Sequence, residues 1–240
     1  MHRLFLTLVL LSSTSIASAD FIDYGDFNGS DVMFLGVTED TREAGDLSDY
    51  GAPTVVGNSL DFDPTDFESS VDNSGSHIND AQLNFTMMAT NNSSIGTVTI
   101  AEGGDYTLIG VGDAMAEASY GAAIFWEILE VDGQSVTGLN GSAGFNNSFE
   151  LPGDEGTAVI WEDSVTIDFD SFLADLNIFG SATKVEFAIN NTLATAAKGG
   201  SAFIAKKDVG LGITVNQIPE PGSAVVLLAA MALIANRRRR

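Results

Sequence analysis

Short runs of alternating apolar and polar residues, separated by turn residues, fill most of the chain. In segments 83–87 and 165–169 an apolar side chain stands at every second position. A period of two places apolar side chains on one face of an extended strand, so that this face covers a core while the other meets water. The runs that we predict as strands are 32–37, 54–62, 82–89, 97–100, 106–111, 122–131, 157–161, 164–169, 184–190 and 209–215.

Many short strands with turn residues between them predict an all-β fold, a single antiparallel β-sandwich or jelly-roll-like domain. The chain shows no internal repeat of fixed period, which argues against a solenoid or a propeller. Helical signals are confined to Asp170–Leu176, where Asp170 or Ser171 would cap one or two turns. We therefore expect one β domain over residues 20–217, between two terminal segments of a different kind.

The first terminal segment, residues 1–19, has the form of a secretory signal peptide. Arg3 precedes an apolar run from Leu4 to Leu11, and the segment ends in Ala17-Ser18-Ala19. Signal peptidase reads such a small-x-small ending, and the apolar run is too short to span a bilayer. We expect cleavage after Ala19 and export of a mature chain that begins at Asp20.

The second terminal segment, residues 218–240, has three parts in a fixed order. It begins with Pro219-Glu220-Pro221, continues with an apolar stretch from Gly222 to Ala235, and ends in Arg237, Arg238, Arg239 and Arg240. A helix of 14 residues is about 21 Å long, shorter than a ~30 Å hydrocarbon core. The arginines favour the cytoplasmic side of a membrane, which leaves the preceding domain outside.

This order resembles the PEP-CTERM sorting signal of Gram-negative bacteria. The resemblance implies processing by an exosortase near Pro219, Glu220 and Pro221, after a stage in which the short transmembrane helix of the tail holds the chain in the membrane. It also implies delivery to the cell surface, the outer membrane or an extracellular matrix of polymer. A plain membrane anchor is the alternative.

Short sequence segments within the middle domain also resemble those of a group of exported proteins that carry PEP-CTERM tails and have no assigned activity. They are 37–41, 51–55, 58–62 and 201–208. This resemblance covers most of the domain and implies no catalytic residue. It supports a sorted surface protein and leaves the activity open.

Residues 20–217 are strongly acidic, with five basic residues against 32 acidic ones and a net charge of about −27. No Lys or Arg occurs between Glu43 and Thr183. Such a field repels phosphate backbones, so nucleic-acid binding is excluded as a function class. Divalent cations, cationic partners and neutral glycans remain compatible with this charge, which also keeps an exported protein soluble.

Catalytic signals are weak. The chain has no cysteine, and His77 is the one histidine of the middle domain. A Ser-His-Asp triad would need His77 as its base, but no nucleophile-elbow sequence accompanies it. One histidine with carboxylates is also a poor ligand set for zinc. We predict no catalytic residue, and therefore no enzyme.

Two Trp-Glu pairs, Trp126-Glu127 and Trp161-Glu162, suit a sugar-binding cleft or a glycosidase with paired carboxylates. Two core tryptophans beside outward-facing carboxylates are the simpler interpretation. Among the many acidic residues of the middle domain, the sequence does not single out a catalytic pair.

An Asp-rich segment is the best candidate for a metal site. Asp61 and Asp63 would share one face of an extended strand, and Pro64 would turn the chain so that Asp66 returns towards them. Oxygen ligands of this kind suit calcium, although the segment does not match an EF-hand loop. The alternative is an acidic turn in which Phe62 and Phe67 enter the core.

The sequence thus favours a non-enzymatic structural or adhesive protein of the cell surface or matrix. The alternatives are a glycan-binding module, with or without calcium, and a carbohydrate-active hydrolase. The partners expected are signal peptidase and exosortase as processing enzymes, the membrane before processing, and an extracellular polysaccharide.

Overall fold

The computed structural model describes residues 21–41 and 48–217. They form nine strands and one short helix, so the prediction of a mostly β fold is confirmed. The strands are β1 (Phe21–Asn28), β2 (Val32–Thr41), β3 (Thr54–Val56), β4 (Ser59–Phe62), β5 (Glu68–Ala89), β6 (Ser93–Val131), β7 (Gln134–Glu150), β8 (Gly156–Asp168) and β9 (Ala182–Gln217), and the helix is α1 (Phe169–Asp175). The predicted signal peptide, the Pro-Glu-Pro motif and the arginine cluster lie outside the described residues.

All nine strands belong to one antiparallel sheet with β9 at its centre. On one side β9 pairs with β5, which continues through β2 to β1, and with β4, which continues to β3. On the other side β9 pairs with β6 along nearly its whole length. The two halves of β6 then pair with β8 and β7.

The long strands bend sharply, and the sheet folds back on itself. The register of β5 against β9 shifts between Asn73 and Ser74, and that of β6 against β9 shifts between Gly110 and Met115. Asn73, Gly112 and Gly199 have positive φ at these bends. Because the sheet folds back on itself here, Ser69 Oγ lies 2.9 Å from Thr195 Oγ1, although Ser69 pairs with Ile204 in the ladder.

The folded sheet encloses one hydrophobic core. Even-numbered positions of β6 point into it, as the buried Leu108, Tyr120 and Ile124 illustrate. Rings pack across the core: Tyr120 stacks on Trp161 with centroids 4.1 Å apart, and one cluster of buried residues runs through the whole domain. Burial of this apolar area is the main source of stability, since the chain has no disulfide.

Helix α1 lies where a short helix is predicted, but its cap differs from the expectation. Asp168 is the N-cap, because its carboxylate accepts a hydrogen bond from the backbone N–H of Ser171 at 2.9 Å. The predicted caps, Asp170 and Ser171, are therefore wrong, and both lie inside the helix. In the described part of the chain no helix is long and apolar enough to cross a bilayer.

Most of the predicted strands are shorter than the observed ones. The runs 97–100, 106–111 and 122–131 belong to the single strand β6, and 184–190 and 209–215 both belong to β9. Strands β1 and β7 are not predicted at all. The observed strands contain many glycine, asparagine and serine residues, which are typical of turns, so the sequence does not indicate a strand at those positions. Pairing with distant strands keeps these residues extended.

Candidate functional site

A cleft of about 770 Å³ lies where β6 passes between β8 and β9. We call it the Trp161 cleft. Its lining comes from three strands and comprises residues 101–105, 160–164, Lys207 and Asp208. Five of its lining side chains are carboxylates.

Glycines let the strands approach closely at this cleft. A Cβ at Gly104 would collide with the carbonyl oxygen of Ala205 and would lie 3.0 Å from Trp161 Cε2. The register of β6 against β9 shifts between Gly103 and Gly104, which creates a β-bulge. The indole of Trp161 therefore packs directly on the backbone of β6.

A buried ion pair lies beside the cleft. Lys206 Nζ is 2.5 Å from Glu102 Oε2, and the two side chains are 1% and 0% exposed. Lys206 Nζ also stands 5.1 Å above the ring of Phe67. Burial lowers the pKa of Lys206, while the neighbouring Glu102 carboxylate favours its charged form.

Two buried polar atoms, in side chains of residues at this cleft, have no hydrogen-bond partner among the described residues. They are Glu102 Oε1, an acceptor, and Trp161 Nε1, a donor. Both side chains are more than nine-tenths buried, at 3% and 4% exposure. Because buried polar groups in proteins are nearly always hydrogen-bonded, these two atoms mark the cleft as a place for a polar partner.

A second carboxylate lies opposite Glu102 on the adjacent strand. Asp163 is the cross-strand partner of Glu102 in the ladder of β6 and β8. Its Oδ2 accepts a hydrogen bond from the hydroxyl of Tyr120 at 3.2 Å. The pKa of Tyr120 is raised, first by burial and then by the charge of Asp163. At the rim, Lys207 forms an ion pair with Asp105.

Another buried carboxylate, Glu39, holds the segment that follows residues 42–47. It accepts hydrogen bonds from the Tyr24 hydroxyl at 2.5 Å, the Ser48 hydroxyl at 2.8 Å and the Asp49 backbone N–H at 2.6 Å. The next residue, Tyr50, is buried, and its hydroxyl oxygen accepts a hydrogen bond from the Asn191 side-chain amide. This cluster fixes Tyr50 in the core, and we assign it a structural role.

The structure brings His77 next to a serine that the sequence does not indicate. Ser69 Oγ lies 3.0 Å from His77 Nδ1, although eight positions separate them in one strand. Ser69 is fully buried and also contacts Thr195, so its hydroxyl cannot reach a substrate. The contact is a structural one at the fold of the sheet.

Both tryptophans are buried, as the simpler interpretation of the Trp-Glu pairs expects. Trp126 is 8% exposed and packs at right angles on Phe172, with centroids 4.6 Å apart. Glu162 is exposed, while Glu127 is half-buried. Trp161 differs from Trp126 because it also lines the cleft.

The residues of the calcium hypothesis lie around the end of β4. The pKa of Asp61 is raised by burial and then by the charges of Asp208 and Asp63. Asp66 is exposed and accepts a hydrogen bond from the Thr65 hydroxyl. In residues 21–41 and 48–217 no three His, Cys, Asp or Glu side chains gather in a way that would hold a metal ion. Calcium binding stays a prediction.

No protein-family model and no curated protein matches the chain. Among solved structures, it is similar to a carbohydrate-binding module in complex with β-1,4-galactotriose, at 8% identity and a TM-score of 0.25, covering 65% of this chain and 70% of the other. A family 11 xylanase from Neocallimastix patriciarum has 9% identity and a TM-score of 0.19, with coverage of 82% and 100%. A family 12 xyloglucanase from Bacillus licheniformis has 12% identity and a TM-score of 0.20, with coverage of 83% and 100%.

Proposed function

We propose that this chain is an exported surface protein whose β domain binds a neutral polysaccharide without cleaving it. The export and sorting steps rest on the two terminal segments: signal peptidase removes residues 1–19, and an exosortase processes the chain near Pro219, Glu220 and Pro221. In finer detail, we propose that the folded sheet is a β-sandwich of the jelly-roll type. The domain then attaches the cell surface to an extracellular polymer.

The observation that carries the binding proposal is the pair of buried, unpartnered atoms in the Trp161 cleft. A sugar hydroxyl both accepts and donates hydrogen bonds, so it supplies what each atom lacks: an acceptor for Trp161 Nε1 and a donor for Glu102 Oε1. Both atoms are buried in the free protein, so this binding requires the cleft to open around them. Carboxylates around the cleft offer further acceptors to hydroxyl groups. The acidic field of the domain does not oppose a neutral glycan, whereas it repels anionic polymers.

Isothermal titration against β-1,4-linked galactan, xylan and xyloglucan tests the proposal. Trp161→Phe keeps an aromatic ring against Tyr120 and removes the indole N–H, so we expect affinity to fall by roughly tenfold. Trp126→Phe is the matched control, because Trp126 is equally buried but lies outside this cleft, and it should leave affinity unchanged. Absence of binding to every neutral polysaccharide would refute the proposal.

Glycoside hydrolysis is the second candidate, favoured by the cross-strand pair Glu102 and Asp163. Directly opposed residues have Cβ atoms about 4.5–5.5 Å apart, within reach of the carboxylate separation of a retaining glycosidase. However, the ion pair with Lys206 engages the Glu102 carboxylate and weakens it as a nucleophile, so we assign this group hydrogen bonding to the glycan and not attack on a sugar ring. We expect no release of reducing ends from the same polysaccharides, and such release would favour the hydrolase.

A further inference from the structure

Four strands border the sheet. In the described part of the chain β1, β3, β7 and β8 each pair on one side only. An open strand edge presents unpaired N–H and C=O groups to any other strand. Proteins therefore protect such edges with short strands, charged side chains, prolines or bulges.

Three of the four edges carry such protection. Strand β3 has only three residues. Strand β1 contains two register shifts, and the Asp23 carboxylate accepts the N–H of Gly25 at 2.8 Å. Strand β8 carries Glu162 and Asp163, and the Asp163 carboxylate accepts the N–H of Ser164 at 2.8 Å.

Strand β7 is long and has no such protection over its middle part. Residues 134–149 contain no charged residue and no proline, in a chain with a net charge of −23. Only its C-terminal end is capped: the N–H of Ser148 bonds the Asn147 side chain, and the N–H of Glu150 bonds the Asp154 carboxylate, each at 2.9 Å. The segment 139–146 has no comparable cap, and we call it the open edge.

The two caps also show which way the open edge faces. They place the N–H groups of even-numbered residues on the side away from β6. The register of β7 against β6 is unbroken from residue 139 to residue 150, so the same orientation holds at Asn140, Ser142, Gly144 and Asn146. These positions present a regular row of backbone groups for a further strand.

Apolar side chains at the open edge are incompletely covered. Leu139, Ala143 and Phe145 pack against the core but are only partly buried, because none of the described strands lies beyond β7. A strand added at this edge would cover their outer sides, and burial of apolar area would stabilise the contact.

We propose that the open edge pairs with the open edge of a second copy of the chain, in an antiparallel ladder about a two-fold axis. A second copy repels this domain over most of its acidic surface, and the uncharged β7 is the long edge where two copies approach without that repulsion. Antiparallel pairing of one segment with itself is self-complementary, as an isologous dimer requires. The domain thereby joins two surface proteins through a continuous sheet.

Sedimentation of the full chain in mild detergent, over a concentration series, tests this. Ser142→Lys places like charges near each other across the two-fold axis, so we expect dimerisation to weaken by about tenfold or more. Ser164→Lys is the matched control, since Ser164 is also an exposed serine whose N–H faces outward on the other long edge strand. Equal association of the two variants, or a chain that stays monomeric throughout, would overturn the proposal.

A cysteine probe gives a second readout that does not depend on how well a lysine is tolerated. The chain has no native cysteine, so any disulfide from a single introduced cysteine joins two copies. Under mild oxidation we expect Ser142→Cys or a neighbouring even position to form a covalent dimer, because residues at the two-fold axis oppose themselves within disulfide range. Ser164→Cys should stay monomeric, and cross-linking there but not in β7 would contradict the assignment.

Discussion

Lys206 Nζ and Glu102 Oε2 lie 2.5 Å apart in an ion pair that is buried from solvent and joins β9 to β6. Removing two charges from water costs several kcal/mol for each ion, and the attraction between them offsets that cost only while both are present. The pair therefore stabilises this register of the two strands against arrangements that separate the charges.

Replacing one partner should be far more harmful than replacing both. We expect Lys206→Met to lower the free energy of unfolding by about 3–5 kcal/mol, because it leaves the buried Glu102 carboxyl group without its partner in the core. The double variant with Glu102→Met should recover most of this loss. Lys207→Met is the control, because Lys207 is half exposed and its pair with Asp105 contributes about 1 kcal/mol or less. Denaturant unfolding measures all three, and equal effects of the two single variants would contradict this account.

The tyrosines should resist ionisation in the native protein. Burial raises the pKa of all four, Tyr24, Tyr50, Tyr106 and Tyr120, above the ordinary value of 10.0. A pKa that is raised by folding gives stability that is present below pH 10.0 and is lost as the pH rises beyond it, since the unfolded chain then binds fewer protons. Absorbance of tyrosinate between pH 9 and 12 should therefore rise later in the native protein than in urea. Coincident titration curves would show that the rings are accessible to solvent.

Gly141 should tolerate no larger residue. A Cβ at this position would overlap the indole ring of Trp126, so Gly141→Ala must displace a large buried side chain. Overpacking of this kind costs about 1–3 kcal/mol. Gly121→Ala is the control in the partner strand, because its Cβ would meet no atom closer than Asn146 Cβ at 3.5 Å. Denaturant midpoints compare the two, and an unperturbed Gly141→Ala would mean that Trp126 can move freely.

The calcium hypothesis makes its own thermodynamic prediction. If Asp61, Asp63 and Asp66 bind calcium, millimolar calcium should raise the midpoint of thermal unfolding by more than sodium does at matched ionic strength. Asp63→Asn should remove the difference while leaving the response to sodium. Equal rises with the two salts would show that calcium only screens the repulsion among acids, to which Asp61, Asp63 and Asp208 contribute.

The sorting proposal predicts the ends of the mature protein. Intact-mass measurement on protein recovered from native cells should find a chain that begins at Asp20 and lacks Arg237, Arg238, Arg239 and Arg240. Recovery of a chain that retains the four arginines would exclude exosortase processing and would support a plain membrane anchor.

The local alternation of apolar and polar residues predicts where strands occur, but it predicts neither their length nor their pairing. Period-two alternation is a property of neighbouring residues, so segments such as 83–87 are correctly predicted. Gly103 and Gly104 have the composition of a turn, yet they continue a strand because β8 and β9 pair with them on both sides. That information lies in residues far away along the chain.

The candidate site could be predicted only in part. Burial of Trp161 is what the simpler interpretation of the Trp-Glu pairs expects, and the sequence draws attention to this residue through Glu162. The pair of Glu102 and Lys206 joins residues 104 positions apart, and no local spacing connects them. The one available signal is that Lys206 is among the few basic residues of an acidic domain, which marks it as unusual without naming its partner.

The central position of β9 governs the order in which the domain can fold. Because β9 lies between β5 and β6, it is the element that joins the two halves of the sheet. The hairpins β1–β2 and β6–β7 can form as soon as they leave the ribosome, but they cannot share a core until residues 182–217 follow. Pairing between such distant residues, for example Glu68 with Ala205, makes folding slow. The chain thus cannot complete its core until residues 182–217 have been synthesised, and a polypeptide without a completed core can still be threaded across a membrane.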